Sequence, residues 1–324
     1  MSTVKNYLSL IKFSHTIFAM PFALIGFSLG IKKRNVDFFD GQWNLNKTIG
    51  WEAEKMNFSS DSLIYELMSG ANPYFAVIRT FLLVLACMIT ARSAAMAFNR
   101  YLDRKWDALN PRTAIREIPK GIITPKNALV FTIVSCLLFI TATYFINRIC
   151  FFLSPVALAV VLGYSYTKRF TPLCHLVLGL GLSLAPIGAY LAVTGVFHWV
   201  PILFSFAVLF WVSGFDIIYA LQDEEFDKKN QLYSIPAWLG KEKALRVSEI
   251  LHLLSAGSVV AAGRFGGFGF LYWIGVLVFG ACLVYQHSIV KPTDLRRVNL
   301  AFMTMNGIAS VVFAVFVIAD LFIN

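Results

Sequence analysis

The chain is organised around the stretch NRYLDRKWD, residues 99–107, and a second stretch, DIIYALQDEEFD, residues 216–227. Each stretch lies at the end of a long apolar segment. Carboxylates four residues apart on a helix repel each other unless a cation lies between them, yet a chain with only 18 acidic residues repeats this spacing. Because a helix turns about 100° per residue, the polar side chains of each stretch share one helical face: Asn99, Asp103 and Asp107 in the first stretch, and Asp216, Tyr219, Asp223 and Asp227 in the second.

The composition indicates a membrane protein. Hydrophobic residues make up 58 % of the 324 residues and charged residues only 14 %, whereas soluble domains carry about a quarter charged residues. Apolar runs of roughly 20 residues are long enough to cross the hydrocarbon core of a bilayer. The sequence therefore predicts an all-α fold, a polytopic membrane bundle of nine transmembrane helices with two Asp-rich helix ends on the cytoplasmic face. The predicted spans are 8–30, 75–98, 128–146, 151–166, 173–194, 200–220, 244–262, 268–289 and 300–323.

The net charge of +10 reflects membrane topology. Of the 28 Lys and Arg residues, 20 lie on the face that holds the N-terminus and the loops after spans two, four, six and eight. The positive-inside rule therefore predicts that the N-terminus and both acidic stretches are cytoplasmic. We expect an integral protein of the bacterial inner membrane, with the lipid bilayer as its partner. Neither a nucleic acid nor an obligatory protein partner is expected.

Features outside the acidic stretches predict less chemistry. A single transmembrane domain is expected over residues 1–324, with an extramembrane insertion on the outer face at 32–73. Ser60 and Asp61 predict the cap of a short amphipathic helix within that insertion. His15 in span one either lines a pocket or packs in the bundle. The five cysteines lack CxxC spacing, which predicts neither a disulfide framework nor a zinc site.

The paired carboxylates are suited to magnesium and phosphate. Mg²⁺ binds proteins through one or two carboxylates and completes its shell with water and substrate phosphate oxygens. Lys and Arg residues in the adjoining loops would supply further countercharge, and the apolar spans would surround a hydrocarbon tail. A polyprenyl diphosphate fits both halves of such a site. The metal-ligating candidates are Asp103, Asp107, Asp223 and Asp227.

These motifs resemble those of the UbiA superfamily of intramembrane aromatic prenyltransferases, in its 4-hydroxybenzoate polyprenyltransferase-like branch. The resemblance covers nearly the whole chain: NxxxDxxxD at 99–107, DxxYxxxDxxxD at 216–227, and a basic turn from Tyr164 to Lys168 and Arg169. Many relatives have Asp directly after the first Asn, whereas this chain has Arg100, which removes one metal ligand. The segments 91–99 and 110–113 resemble a sub-branch associated with menaquinone synthesis, so 4-hydroxybenzoate and a naphthoate-type acid are both open as acceptors.

The resemblance implies a Mg²⁺-dependent transfer of a polyprenyl group from polyprenyl diphosphate to an aromatic acid in ubiquinone or menaquinone biosynthesis. Ionisation of the diphosphate would precede attack by the acceptor ring. Asp216 is the candidate general base, with an ion pair to an arginine as its alternative role, and Tyr219 is a candidate to hold the allylic cation. The implied catalytic residues are Asp103, Asp107, Asp216, Asp223 and Asp227, and the implied substrate-binding residues are Arg92, Asn99, Arg112, Lys168, Arg169 and Tyr219.

Two alternatives stay open at the level of sequence. A transporter or channel also embeds Asp residues beside Arg partners or uses them to carry protons. The Asp pairs lie at the ends of spans and not at the bilayer midplane, which argues against that class. The other alternative is a superfamily enzyme with a different acceptor, such as haem or a chlorophyll precursor.

Overall fold

The computed structural model describes residues 3–11, 18–38 and 73–324, and these ranges contain no β-strand. The predicted all-α class is therefore confirmed for the described ranges. A 3₁₀ turn, Leu221–Asp223, follows the helix that ends at Ala220, and a π-helical turn, Leu300–Met305, precedes the helix that begins at Asn306. The helices are α1 Thr3–Leu10, α2 Met20–Phe38, α3 Pro73–Leu109, α4 Pro125–Tyr144, α5 Arg148–Thr167, α6 Cys174–Thr194, α7 Trp199–Ala220, α8 Glu224–Lys229, α9 Ile235–Leu239, α10 Lys241–Gly266, α11 Phe270–Ile289 and α12 Asn306–Ile323.

Eight segments of the described ranges are long and apolar enough to cross a membrane, and they correspond to predicted spans two to nine. The first predicted span, 8–30, is only partly described. The structure gives α1, α2 and the turns beside them, and the apolar stretch there, Met20–Lys32, is shorter than the other eight segments. A count of nine therefore stays a prediction. His15 and residues 39–72 of the predicted insertion, including Ser60 and Asp61, lie outside the described residues.

Local sequence signals set several helix boundaries. Thr124 caps α4 by accepting the Asn127 N–H at 3.2 Å, and Pro125 occupies the first helical position. Asn147 caps α5 by accepting the Cys150 N–H at 2.9 Å. Such caps satisfy backbone donors that have no partner within the helix, which is important in a bundle surrounded by lipid.

The bundle has a closely packed aromatic core on one side and an apolar cavity on the other. Trp211 of α7 is fully buried among aromatic side chains of α2, α7, α11 and α12, and its Nε1–H donates to Asn306 Oδ1 at 3.0 Å. Gly179 lets α6 approach α7 closely, because a Cβ there would lie 2.4 Å from the Leu209 carbonyl oxygen. Small residues allow such close contact between membrane helices. By contrast, α3, α5 and α6 enclose an apolar cavity of about 400 Å³.

Candidate active site

The first acidic motif lies on the last turns of α3, which continues beyond the predicted end of span two to Leu109. The helical face predicted for the motif is present, since Asn99 Nδ2 donates to Asp103 Oδ2 at 3.2 Å across one turn. Asp107 accepts a hydrogen bond from Arg116 at 2.6 Å through Oδ1. Its Oδ2 is buried and has no hydrogen-bond partner in the described part of the chain.

The second acidic motif does not lie on one continuous helix, which corrects the prediction. Asp216 and Tyr219 belong to α7, Asp223 ends the 3₁₀ turn, and Asp227 belongs to α8. The turn tightens where Leu221 packs into a buried cluster beneath the site, and a 3₁₀ turn rotates each residue by more than an α-helix does. The four side chains nevertheless line one polar cavity of about 300 Å³.

The loop after α3 joins the two motifs. Arg112 makes a two-pronged contact with Asp223, with Nε 3.0 Å from Oδ1 and the second contact from Nη2 to Oδ2. Asn110 Nδ2 donates to the same Oδ1 at 3.1 Å. Burial acts to lower the pKa of Arg112, but its hydrogen bond to Asp223 and that carboxylate's charge outweigh burial and raise this pKa above its ordinary value. Arg112 therefore stays charged and links the loop to the second motif.

The basic turn after α5 reaches the first motif. Lys168 Nζ lies 2.6 Å and Arg169 Nη2 3.1 Å from the Asp103 carboxylate. Lys168 also lines the polar cavity, whereas the Arg169 guanidinium stacks beside Trp106 and Tyr166, 4.7 and 5.2 Å from their ring centres. The two bases therefore differ in position: Lys168 lines the cavity, whereas Arg169 contacts Asp103 but does not line the cavity.

Asp216 pairs with a histidine, so the predicted alternative of an arginine partner is wrong. His175 Nδ1 lies 2.7 Å from Asp216 Oδ2. The backbone N–H of Ile235 donates to His175 Nε2 at 3.4 Å, which leaves Nδ1–H as the donor to Asp216. The sequence contains only five histidines, and His175 at the start of α6 has no motif around it. Its role was therefore missed in the sequence.

Tyr219 is less open to a substrate than predicted. Its hydroxyl accepts a hydrogen bond from Arg112 at 2.8 Å, and the Arg112 guanidinium lies 5.1 Å from its ring centre. The Phe302 ring lies 4.3 Å away. Tyr219 thus helps to hold Arg112 in place, and its contact with an allylic cation stays a prediction.

Two cavities meet at one partly buried arginine. The polar cavity and the apolar cavity share Arg92, Met96, Tyr164, Leu178 and Leu182 as lining residues. Arg92 Nε is buried and has no hydrogen-bond partner in the described ranges. Arg92 lies seven residues before Asn99, about 10 Å along the same face of α3. The sequence predicted that Arg92 faces the interior of the bundle, but the second cavity was not predicted.

The polar cavity brings most of the predicted residues together. Arg169 is not among its lining residues, although it contacts Asp103. Arg100, Arg116 and His175 line the cavity and were not predicted as site residues. The predicted residues that line it are Arg92, Asn99, Asp103, Asp107, Arg112, Lys168, Asp216, Tyr219, Asp223 and Asp227.

The donor set fits magnesium bound together with a substrate. No group of three or more His, Cys, Asp or Glu residues in the described ranges forms a metal cluster. Mg²⁺ does not need one, because substrate phosphate and water complete its octahedron. The Asp107 Oδ2 is a buried oxygen without a partner in the described ranges. Asp227 accepts a hydrogen bond from the neutral hydroxyl of Ser234 at 2.9 Å, and no base of the described ranges forms an ion pair with it. These two carboxylates have the most capacity to accept a cation.

Comparison with known proteins identifies the family. A model of the UbiA prenyltransferase family matches residues 63–308. A 4-hydroxybenzoate octaprenyltransferase of Aeromonas salmonicida (strain A449) is 30 % identical over 72 % of this chain and 81 % of its own length. The apo structure of a UbiA homologue from Aeropyrum pernix K1 superposes with a TM-score of 0.70 at 24 % identity, over 95 % of this chain and 97 % of the other.

A second solved structure is that of a UbiA homologue from Archaeoglobus fulgidus bound to DMAPP and Mg²⁺. It has a TM-score of 0.66 at 20 % identity and covers 98 % of this chain and all of its own. At these identities both structures show a shared fold. The family model spans well over half of the chain, which decides between an enzyme and the transporter alternative. The chain therefore belongs to the UbiA prenyltransferase family, a family of aromatic prenyltransferases, as its two acidic motifs predicted.

Proposed function

We propose that this chain catalyses the Mg²⁺-dependent transfer of a polyprenyl group from polyprenyl diphosphate to an aromatic acid in quinone biosynthesis. The observation that carries the proposal is the junction of a polar cavity between two acidic motifs with a mostly apolar cavity inside the bundle. A diphosphate with a hydrocarbon tail needs these two environments side by side. The names of the curated relatives and the DMAPP and Mg²⁺ bound by the Archaeoglobus homologue support the same substrates.

In the first step the C–O bond to the prenyl carbon breaks, and the electron pair leaves with the diphosphate. Mg²⁺ held by Asp103, Asp107, Asp223 and Asp227 would supply countercharge to this leaving group. Lys168 lies at the same cavity wall, where its ammonium stabilises the growing negative charge. The apolar cavity encloses the tail and keeps water away from the allylic cation.

In the second step an acceptor ring carbon forms a C–C bond with the allylic carbon and then loses its proton. Asp216 lines the cavity and is the carboxylate placed to receive this proton. His175 donates to Asp216 Oδ2 and, through the Ile235 N–H, is itself fixed to the backbone. His175 is therefore a positioning residue that fixes the carboxylate for proton transfer.

The acceptor is proposed to be 4-hydroxybenzoate or a related naphthoate, with its carboxylate at Arg92. A guanidinium offers two parallel donors to a carboxylate, and Arg92 has an unpartnered Nε at the junction of the two cavities. An acceptor bound there would lie beside the reacting end of the prenyl tail.

The same proposal places the enzyme in the bacterial inner membrane, with this site on the cytoplasmic face and residues 1–324 as one prenyltransferase domain.

Replacement of Arg92 by methionine is expected to raise KM for the aromatic acid by roughly ten- to a hundredfold. A hydrogen bond to a charged group contributes about 1.5–3 kcal/mol, and that bond would be lost. The Kd for a geranyl thiolodiphosphate should change much less than this KM, because Arg92 lies about 16 Å before Asp103 along α3. Steady-state kinetics and isothermal titration calorimetry measure the two quantities. An unchanged KM for the acid would remove Arg92 from acceptor binding.

Replacement of Asp216 by asparagine is expected to slow turnover by about 10²–10⁴, the usual contribution of a general base. Substrate affinity should remain. A deuterated acceptor ring should then react more slowly than the protiated ring, because proton loss becomes rate-limiting. His175→Ala should show a smaller loss with the same isotope effect, and His175→Gln should restore part of the rate. Normal turnover of Asp216→Asn without an isotope effect would exclude Asp216 as the base.

The proposed function is tested with purified full-length protein in lipid nanodiscs. Labelled octaprenyl diphosphate, Mg²⁺ and a panel of aromatic acids are supplied, and the prenylated product and released diphosphate are quantified. We expect equal amounts of both products with 4-hydroxybenzoate or a naphthoate-type acid, and none in EDTA. Release of diphosphate without any prenylated acid across the panel would refute the proposed reaction.

A further inference from the structure

Arg100 is a buried cation that has no ion-pair partner among the residues that the structure describes. It lies on α3 one turn before Asp103, and only 3 % of its surface is exposed. Its Nε is buried and makes no hydrogen bond, and no ion pair joins its guanidinium to any residue in the described part of the chain. Arg100 nevertheless lines the polar cavity. An arginine carries five N–H donors, and no acceptor in the described ranges takes a hydrogen bond from those of Arg100.

The carboxylates around Arg100 are bound to other bases. Asp103 is held by Lys168 and Arg169, and Asp107 is held by Arg116 at 2.6 Å. Arg116, Asp107 and Glu117 are charged neighbours of Arg100, but none of them forms an ion pair or hydrogen bond with it in the described part of the chain. Arg100 is therefore left as a buried guanidinium that no carboxylate of the described ranges contacts. An unpaired buried charge is costly to a folded protein, and an anion bound at this position would offset that cost.

We propose that Arg100 is a built-in phosphate ligand, which donates directly to the diphosphate of the prenyl substrate beside the first acidic motif. The proposal rests on the proposed function, because it assumes that the cavity receives a diphosphate. A carboxylate at this position would hold the diphosphate through a metal ion, whereas a guanidinium binds phosphate oxygens itself, in a planar two-pronged contact. This enzyme should therefore retain a part of its diphosphate affinity that does not depend on Mg²⁺.

A ligand-binding role and a structural role of Arg100 predict opposite effects on stability. If Arg100 holds the fold together, Arg100→Met should lower the Tm of the unliganded protein. If Arg100 waits for an anion, Arg100→Met should raise that Tm, because an unpaired buried charge is replaced by an apolar side chain of similar length. The same variant should show a smaller rise in Tm when the diphosphate is added.

The test uses full-length protein in nanodiscs, with geranyl thiolodiphosphate as a non-ionising probe. Calorimetry measures its Kd in EDTA and again with Mg²⁺. We expect Arg100→Met to weaken binding in EDTA by roughly ten- to a hundredfold, as for loss of a hydrogen bond to a charged group. Arg100→Lys should recover part of the loss. Arg104→Met is the matched control, since Arg104 lies one turn further along α3, donates to the Tyr101 carbonyl and does not line the cavity.

The outcomes separate this inference from the proposed function. Equal Kd values for wild type and Arg100→Met in EDTA, or an equal loss in Arg104→Met, would overturn the role of Arg100. Wild-type binding that requires Mg²⁺ completely would overturn it as well. In each of these cases the transfer assay with aromatic acids would still succeed. Failure of the wild-type protein to bind the probe with Mg²⁺ present would refute the proposed function itself.

Discussion

Replacement of Asp107 or Asp227 by alanine is expected to reduce prenyl transfer by at least about 10³-fold. Each substitution removes one of the two carboxylates with the most capacity to accept a cation: Asp107 Oδ2 has no partner in the described ranges, and the Asp227 carboxylate accepts from the neutral Ser234 hydroxyl and pairs with no base there. A bound metal ion contributes several kcal/mol to stabilisation of developing charge, and about 1.4 kcal/mol corresponds to a tenfold rate. The rate of product formation, measured at several Mg²⁺ concentrations, checks this effect.

The control for this pair is Glu225→Ala. Glu225 lies two residues before Asp227, but its side chain is exposed and it does not line the polar cavity, so its loss should leave transfer unchanged. The Tm of each variant distinguishes lost chemistry from lost folding, because Asp107→Ala also leaves Arg116 without its partner. Near-normal transfer by Asp107→Ala and Asp227→Ala at limiting Mg²⁺ would show that these carboxylates hold no catalytic metal.

Replacement of Lys168 by alanine should lower kcat by on the order of 10²–10³. Its ammonium lies 2.6 Å from Asp103 and lines the cavity, so it can stabilise charge that grows as the C–O bond breaks. Removal of one donor to developing charge in other enzymes costs about this much. The Kd of geranyl thiolodiphosphate should change less than kcat, because the charge is larger in the transition state than in the ground state.

Arg169 should behave differently from Lys168. Arg169→Lys should lose only part of the rate, because an ammonium can still pair with Asp103 but cannot stack flat on Trp106 and Tyr166. Lys105→Ala is the matched control, since Lys105 is exposed on the same stretch of α3 as the first motif.

Single-turnover rates separate the chemical step from product release. If Lys168→Ala left the single-turnover rate unchanged, Lys168 would be only a base that sets membrane topology.

The first motif could be predicted from sequence because one continuous helix carries it. Asn99, Asp103 and Asp107 need only the rotation of an α-helix to share a face, and α3 supplies it. The second motif followed the prediction less closely, since the chain changes to a 3₁₀ turn at Leu221. At that turn Leu221 packs into a buried cluster, and the local spacing of acids does not reveal such tertiary packing.

Partners that come from distant segments could not be predicted. His175 is 41 residues from Asp216 along the chain, and no spacing rule joins a single histidine to an acid on another helix. Arg100 was predicted only as the loss of a metal ligand. Its burial and its unpartnered Nε depend on the ion pairs that the loop after α3 and the turn after α5 form with the nearby acids. Hydropathy predicted the apolar walls, but the cavity itself arises from the packing of α3, α5 and α6.

The most direct test of a diphosphate held between the two acidic motifs is an experimental structure of the full-length protein with geranyl thiolodiphosphate and Mg²⁺. We expect the diphosphate in the polar cavity, with metal density between its oxygens and the carboxylates of Asp107 and Asp227. The geranyl chain should pass Arg92 into the cavity formed by α3, α5 and α6. A diphosphate bound outside the polar cavity, or a tail directed away from the apolar one, would contradict this arrangement.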